Sequence, residues 1–224
     1  MAIAPVGGTT NTNTVSTTVA ATYSPTAGNI VVIAVGTTTT GPNTSNMSVV
    51  DNLSNALTAG PSVPTGTANE TLYLFYYTAP SGVTGFTANW TTSANNSSIY
   101  VEEYSGALGG VNPVGATNAS TANPASPATV SLISSQNNSF VVGGLFFPGN
   151  PNLGTLTSGH SRQTINTFSG RFADNTAASS GTSVSLTNTI GPNQIWTAAV
   201  VELLPNTPPS GPPKNSLMLM GCGT

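Results

Sequence analysis

Residues 98–106 read SIYVEEYSG. Glu102 and Glu103 stand side by side in an apolar run, although the chain has only six acidic residues among 224. Two carboxylates gathered at one point would suggest acid/base chemistry. The alternation of residue types argues against it, because neighbouring side chains of a strand point to opposite faces. Ile99, Val101 and Glu103 then share one face, and Tyr100, Glu102 and Tyr104 share the other. The two carboxylates diverge and cannot flank one bond at the roughly 5–10 Å that paired-carboxylate hydrolysis requires. Glu103, on the more aliphatic face, is expected to be a buried structural carboxylate bonded to a neighbouring turn. Glu102 is expected to face solvent.

Outward from this stretch the same period of two recurs. Segments 14–23, 29–37, 46–51, 70–79, 83–91, 98–104, 128–134, 139–147, 161–168, 182–188 and 194–204 read as strands, each bounded by Gly, Pro, Asn or Ser. A sustained helical stripe is missing. TVSTTVAATYSPTAGNIVVIAVG (14–36) resembles ATVSLISSQNNSFVVGGLFF (128–147), and FTANWTTSANNSSIYVEEYSG (86–106) resembles VSLTNTIGPNQIWTAAVVELL (184–204). An offset near 100 residues is far longer than a solenoid period. The expected fold is therefore all-β, a jelly-roll-like antiparallel β-sandwich of two similar halves sharing one core. The halves are 14–106 and 128–204, joined by a crossover at 107–127. Asn29 and Asn138 should hold matching turn positions. Residues 1–13 read as an N-terminal arm, and 205–224 as a Pro-rich C-terminal arm. In that second arm Leu217, Met218, Leu219 and Met220 form an apolar patch suited to docking on a neighbouring subunit.

Composition narrows the function. Lys and Arg total three, the formal net charge is −3, and only 4% of residues are charged. Nucleic acid and anionic membranes both call for clustered basic residues, so neither is an expected partner. The single cysteine, Cys222, excludes an intrachain disulfide. MAIAPVGGTTNT has neither the basic start nor the apolar run of a secretory signal. A hydroxyl- and amide-rich surface without a signal suits a particle built inside a cell and released by lysis, so the expected location is a virion or an extracellular surface.

Other chemistry-bearing residues are sparse. His160 is the one histidine, and no serine sits in a nucleophile-elbow pattern that would join it to Asp174. Asp51, Asn52 and Asn55 carry oxygen ligands but lack calcium-loop spacing, and read better as a turn. Arg162 and Arg171 are candidate ion-pair partners of Glu103 or Asp174. In LYLFYY (72–77), Tyr73 and Tyr77 share a face with Phe75 and are candidates for stacking on a sugar. Nothing in the chain calls for a cofactor or a metal.

The order AGNIVVIAV (27–35), SVVDNLSN (48–55), LYLFYYTAPSGVTGFTANW (72–90) and VEEYSG (101–106) resembles a group of uncharacterised β-sandwich domains of phage and metagenomic genomes and secreted bacterial proteins. The resemblance spans most of residues 14–204 and implies a sandwich without catalytic residues. The chain departs from that pattern at Ser54, where glycine is common. The expected function is a non-catalytic structural subunit, a capsid decoration or appendage protein that forms a homo-oligomer or joins other capsid subunits. The alternative is a carbohydrate-binding or adhesive module with a glycan partner.

Overall fold

A computed structural model describes residues 2–38, 46–63, 70–110, 112–122, 126–147, 154–166, 170–177, 179–191 and 195–206. Among the described residues there are fourteen strands: β1 (Ala4–Thr22), β2 (Ile30–Thr38), β3 (Ser48–Asp51), β4 (Thr58–Val63), β5 (Glu70–Thr78), β6 (Gly85–Ser105), β7 (Val114–Ala122), β8 (Ala128–Ile133), β9 (Ser139–Phe146), β10 (Thr155–Ser158), β11 (His160–Ile165), β12 (Gly170–Ala177), β13 (Ser183–Thr189) and β14 (Trp196–Leu203). Every ladder is antiparallel, and the described residues include no helix.

Strands β1-β6-β2-β5-β4 form one large sheet and β7-β14-β9-β12-β11 another. A small sheet, β8-β13-β10, accompanies the second. Its counterpart in the first half comes from the long strands β1 and β6. Their register breaks between Ser16 and Thr18, where the partner jumps from Ala94 to Asn89, and the ladder folds back on itself. Residues 18–22 of β1, 85–89 of β6 and β3 then pair as the sequence β1-β6-β3, in the same arrangement as β8-β13-β10.

The packing follows from which faces are apolar. Ile30 through Val35 are all fully buried, so β2 is covered on both sides. Val31, Ile33 and Val35 pack with Val19, Val49, Phe86 and Trp90 in a first core beneath the folded-back ladder. Ile30, Val32 and Ala34 pack with Val142, Phe172, Ala199 and Val201 in a middle core between the two large sheets. Val141, Leu145, Ala198 and Val200 pack with Val130, Leu132 and Leu186 in a third core beneath the small sheet. Three cores therefore replace the single shared core expected from the sequence. Across the middle core β1 touches β11, β4 touches β7, and β2 lies against β9.

Several boundaries differ from the expectation. Residues 4–13, read as an arm, begin β1 and pair with β6. Residues 114–122, inside the expected crossover, are edge strand β7. The segments 83–91 and 98–104 belong to one strand, β6, and β4, β10 and β12 were not signalled. The polar edges β1, β4, β7 and β10 lack the apolar alternation that marks an inner strand, and β12, though an inner strand, interrupts it with Arg171, Asp174 and Asn175.

The large sheets approach closely at Gly144. A Cβ added there would lie 3.1 Å from the Ala34 Cβ and 3.3 Å from the Leu72 Cδ1. Gly144→Val should act as a wedge and destabilise the fold by about 1–3 kcal/mol. Gly181→Asn, at a left-handed turn position with open space around it, should change stability by less than about 0.5 kcal/mol. Thermal and chemical denaturation of the two variants checks the contrast.

Candidate functional site

Glu103 stands opposite Val31 of β2 and is 1% exposed. The turn leading into β2 supplies its partners. The Tyr23 hydroxyl donates at 2.7 Å, the Thr26 N–H at 3.0 Å, and the Asn29 side-chain amide also donates. Burial alone would raise its pKa, but the bonds from Asn29, Tyr23 and Thr26 outweigh it and hold the carboxyl below its usual range. A second carboxylate, Glu202, not singled out from the sequence, repeats the arrangement. It stands opposite Val141 of β9 and is fully buried. It accepts the Ser135 N–H at 2.8 Å, the Ser135 hydroxyl at 2.7 Å and the Ala116 N–H at 2.9 Å. Each carboxylate also faces an irregularity in its outer neighbour, between Pro5 and Gly7 for Glu103 and between Val114 and Thr117 for Glu202.

This register decides the turn correspondence. Val31 matches Val141, so Gly28 matches Asn138, and both have positive φ, 89° and 58°. Asn29 therefore matches Ser139, not Asn138, one residue away from the sequence expectation. Asn138 meets the left-handed requirement that glycine meets in the first turn.

Glu102 departs from its expected solvent-facing position. It is 3% exposed, because the second large sheet covers the face it shares with Tyr100 and Tyr104. The Gln163 side-chain amide donates to it at 3.2 Å. Burial pushes its pKa up to about 7 despite that bond and the nearby Arg162. Asp174 of β12, fully buried, accepts the Tyr104 hydroxyl at 3.0 Å and two bonds from Arg162, from Nε and, at 2.9 Å, from Nη2. The His160 Nδ1 is 3.7 Å from Asp174, beyond hydrogen-bond reach, and the ring is largely exposed. Arg162, Gln163 and Asp174 thus join the second half to Tyr104 and Glu102 of the first. Arg171 meets neither acid proposed for it.

The remaining candidates take packing and turn positions. Tyr73 and Tyr77 are half-buried against the first core. Tyr77 meets Phe86 edge-on at 5.9 Å, and its hydroxyl reaches Asp51 at 3.4 Å, so its ring is not a free sugar platform. Asp51 accepts the Leu53 and Asn55 N–H groups and the Asn55 side-chain amide, each at 2.9 Å, with Ser54 at φ 67° in the left-handed region that favours glycine. The apolar patch Leu217, Met218, Leu219 and Met220 and Cys222 lie outside the described residues.

A groove of about 510 Å³ opens where β1 folds back, lined by Thr9, Thr10, Asn11, Thr22, Asn52 and Thr87 among others. Asn11 donates across it to the Ala20 carbonyl at 2.7 Å, and Asn13 donates to the Thr18 carbonyl at 3.0 Å. The polar part of the lining is hydroxyl and amide, the rest is Ala20, Ala21, Gly85 and Phe86, and it includes no charged side chain. No protein-family model matches the chain, and no curated protein matches it in sequence.

The buried carboxylates set the pH profile of stability. Glu70, 6% exposed, is pushed up to about 8 by burial, and Glu102 to about 7. A raised carboxyl pKa means that the folded state holds its proton longer, so stability falls as pH rises from about 4.5 toward 7–8. Glu103, Glu202 and Asp51 are lowered, so their contribution is lost as pH falls below the ordinary carboxylate range. Melting temperature should therefore peak near pH 5. Glu70→Gln and Glu102→Gln should flatten the alkaline limb, and Glu103→Gln the acid limb, in scanning calorimetry across pH.

Proposed function

We propose that the chain is a non-catalytic structural subunit of a virion or extracellular assembly, built as two similar jelly-roll-like sandwiches stacked through their large sheets. The observation that carries this reading is the placement of charge. All six acidic side chains, Asp51, Glu70, Glu102, Glu103, Asp174 and Glu202, are buried, at 6% exposure or less. What remains outside is mostly Thr, Ser, Asn and Gly, a neutral polar surface on which like subunits pack without mutual repulsion. Five of the six carboxylates are occupied as internal fasteners, and all six are withdrawn from the surface. The matched strand orders β1-β6-β2-β5-β4 and β7-β14-β9-β12-β11 support the two-half plan. The resemblance to phage-associated sandwich domains favours a virion over other assemblies.

The apolar segment 217–220 is the proposed connector between subunits. Truncation after Pro205 should leave circular dichroism and melting unchanged while abolishing higher-order association in light scattering and negative-stain microscopy. Retained assembly in the truncated chain overturns the connector.

A second reading, glycan adhesion, is favoured by the groove beside β1. Hydroxyls of Thr9, Thr10, Thr22 and Thr87 around it suit a neutral saccharide better than the half-buried Tyr73 and Tyr77 do. Titration of neutral oligosaccharides should then shift the amide resonances of Thr9–Asn11 and Thr87. Unmoved resonances across a glycan panel reject it.

A further inference from the structure

Arg171 lies on β12 beside Ala173 and faces the third core. It is 9% exposed. A guanidinium carries five N–H donors and cannot shed its charge in ordinary conditions, so a buried one needs acceptors and a counter-charge. Arg171 makes one long bond, from Nη2 to the Gly154 carbonyl at 3.4 Å, and its Nε is buried without a partner. No carboxylate among the described residues, which include all six acidic side chains of the chain, lies within ion-pair distance of it. Five of those acids are occupied by the bonds already given. The sixth, Glu70, projects with Leu72 and Leu74 into the middle core, on the other side of the second large sheet.

A second donor without an acceptor projects from the same end of the same face. Arg171 pairs with Leu145, which pairs with Ala198, two residues from Trp196. Trp196 is 4% exposed and packs in the same core, and its indole N–H is buried without a partner. The other tryptophan, Trp90, donates to the Ser16 carbonyl at 3.1 Å, so an idle indole is not the habit of this fold. Two unpaired donors, one carrying a fixed positive charge, ask for an acceptor with negative charge.

We propose that Arg171 and Trp196 form a binding site for an oxyanion, a carboxylate or phosphate group received at the rim of the third core. Burial, which pulls the Arg171 pKa down, states the same cost in other terms. The occupant arrives either as a free ion or as an acidic group of a partner chain.

The test uses the full chain in sodium phosphate, sodium acetate and sodium chloride at matched ionic strength and pH. The melting temperature of the unmodified protein should rise by about 3–5 °C at ten times the dissociation constant of the bound anion, relative to chloride. Arg171→Met should show no difference among the three salts. A response to phosphate alone assigns a free phosphate-type ligand, and a response to acetate assigns a carboxylate such as a partner's acidic group. A Trp196→Phe variant identifies the Trp196 indole resonance, which should move on anion addition while that of Trp90 stays fixed. Equal responses of the unmodified protein and Arg171→Met, or a stationary Trp196 indole in both anions, overturn the proposal. Should Arg171→Met fail to fold, the indole titration of the unmodified protein decides alone.

Discussion

Strands β2 and β9 are apolar on both faces, and the rest of the molecule is arranged to cover them. A strand with one wet face needs one neighbouring layer, whereas a strand such as Ile30–Val35 needs two. The folded-back ladder of β1 and β6 covers one side of β2, and the opposing large sheet covers the other. The same logic applies to β9, between the middle core and the small sheet. Small residues are the consequence where backbones come together, as at Ala34 against Gly144.

Once so much sheet is dry, every carboxylate in it must be stabilised. The chain uses three solutions. Glu103 and Glu202 stay ionised because a turn aims N–H and hydroxyl donors at them. Asp174 is met by the guanidinium of Arg162 and the hydroxyl of Tyr104. Glu70 and Glu102, with fewer donors, hold their protons to higher pH. The first solution ties a turn to the strand beside the one it leads into, the second ties one half of the chain to the other, and the third leaves stability sensitive to pH.

The sheet edges show the same economy of charge. Edge strands invite pairing with other chains, and many proteins block them with lysine. This chain has one lysine, Lys214, and blocks some edges with amides instead. Asn11 and Asn13 of β1 donate to carbonyls of the same strand after its bend, and Asn118 of β7 donates to the Ser131 carbonyl of β8 at 2.6 Å. An edge closed by its own side chains is compatible with a neutral surface, and so with an assembly whose contacts are chosen elsewhere.

Alternation alone determined the all-β class, the two faces of 98–104 and the inward direction of Glu103, because the pleat makes facing a local property of a strand. The recurrence of Asn-bearing turns before Val-Val strands was likewise legible, to within one residue. Facing does not say what covers a face, and only the tertiary structure decided that. Glu102 is dry because a distant segment, β9–β14, lies over it, and Tyr73 and Tyr77 are packed because β1 and β6 fold back over them. Residues 4–13 and 114–122 are too polar to signal a strand and became strands only because β6 and β14 offered ladders to pair with. Glu202 could have been found from its place in the repeat, near the end of the last apolar strand of the second half, as Glu103 stands near the end of that of the first. Arg171 could not, because its isolation depends on where all six acids come to rest in space.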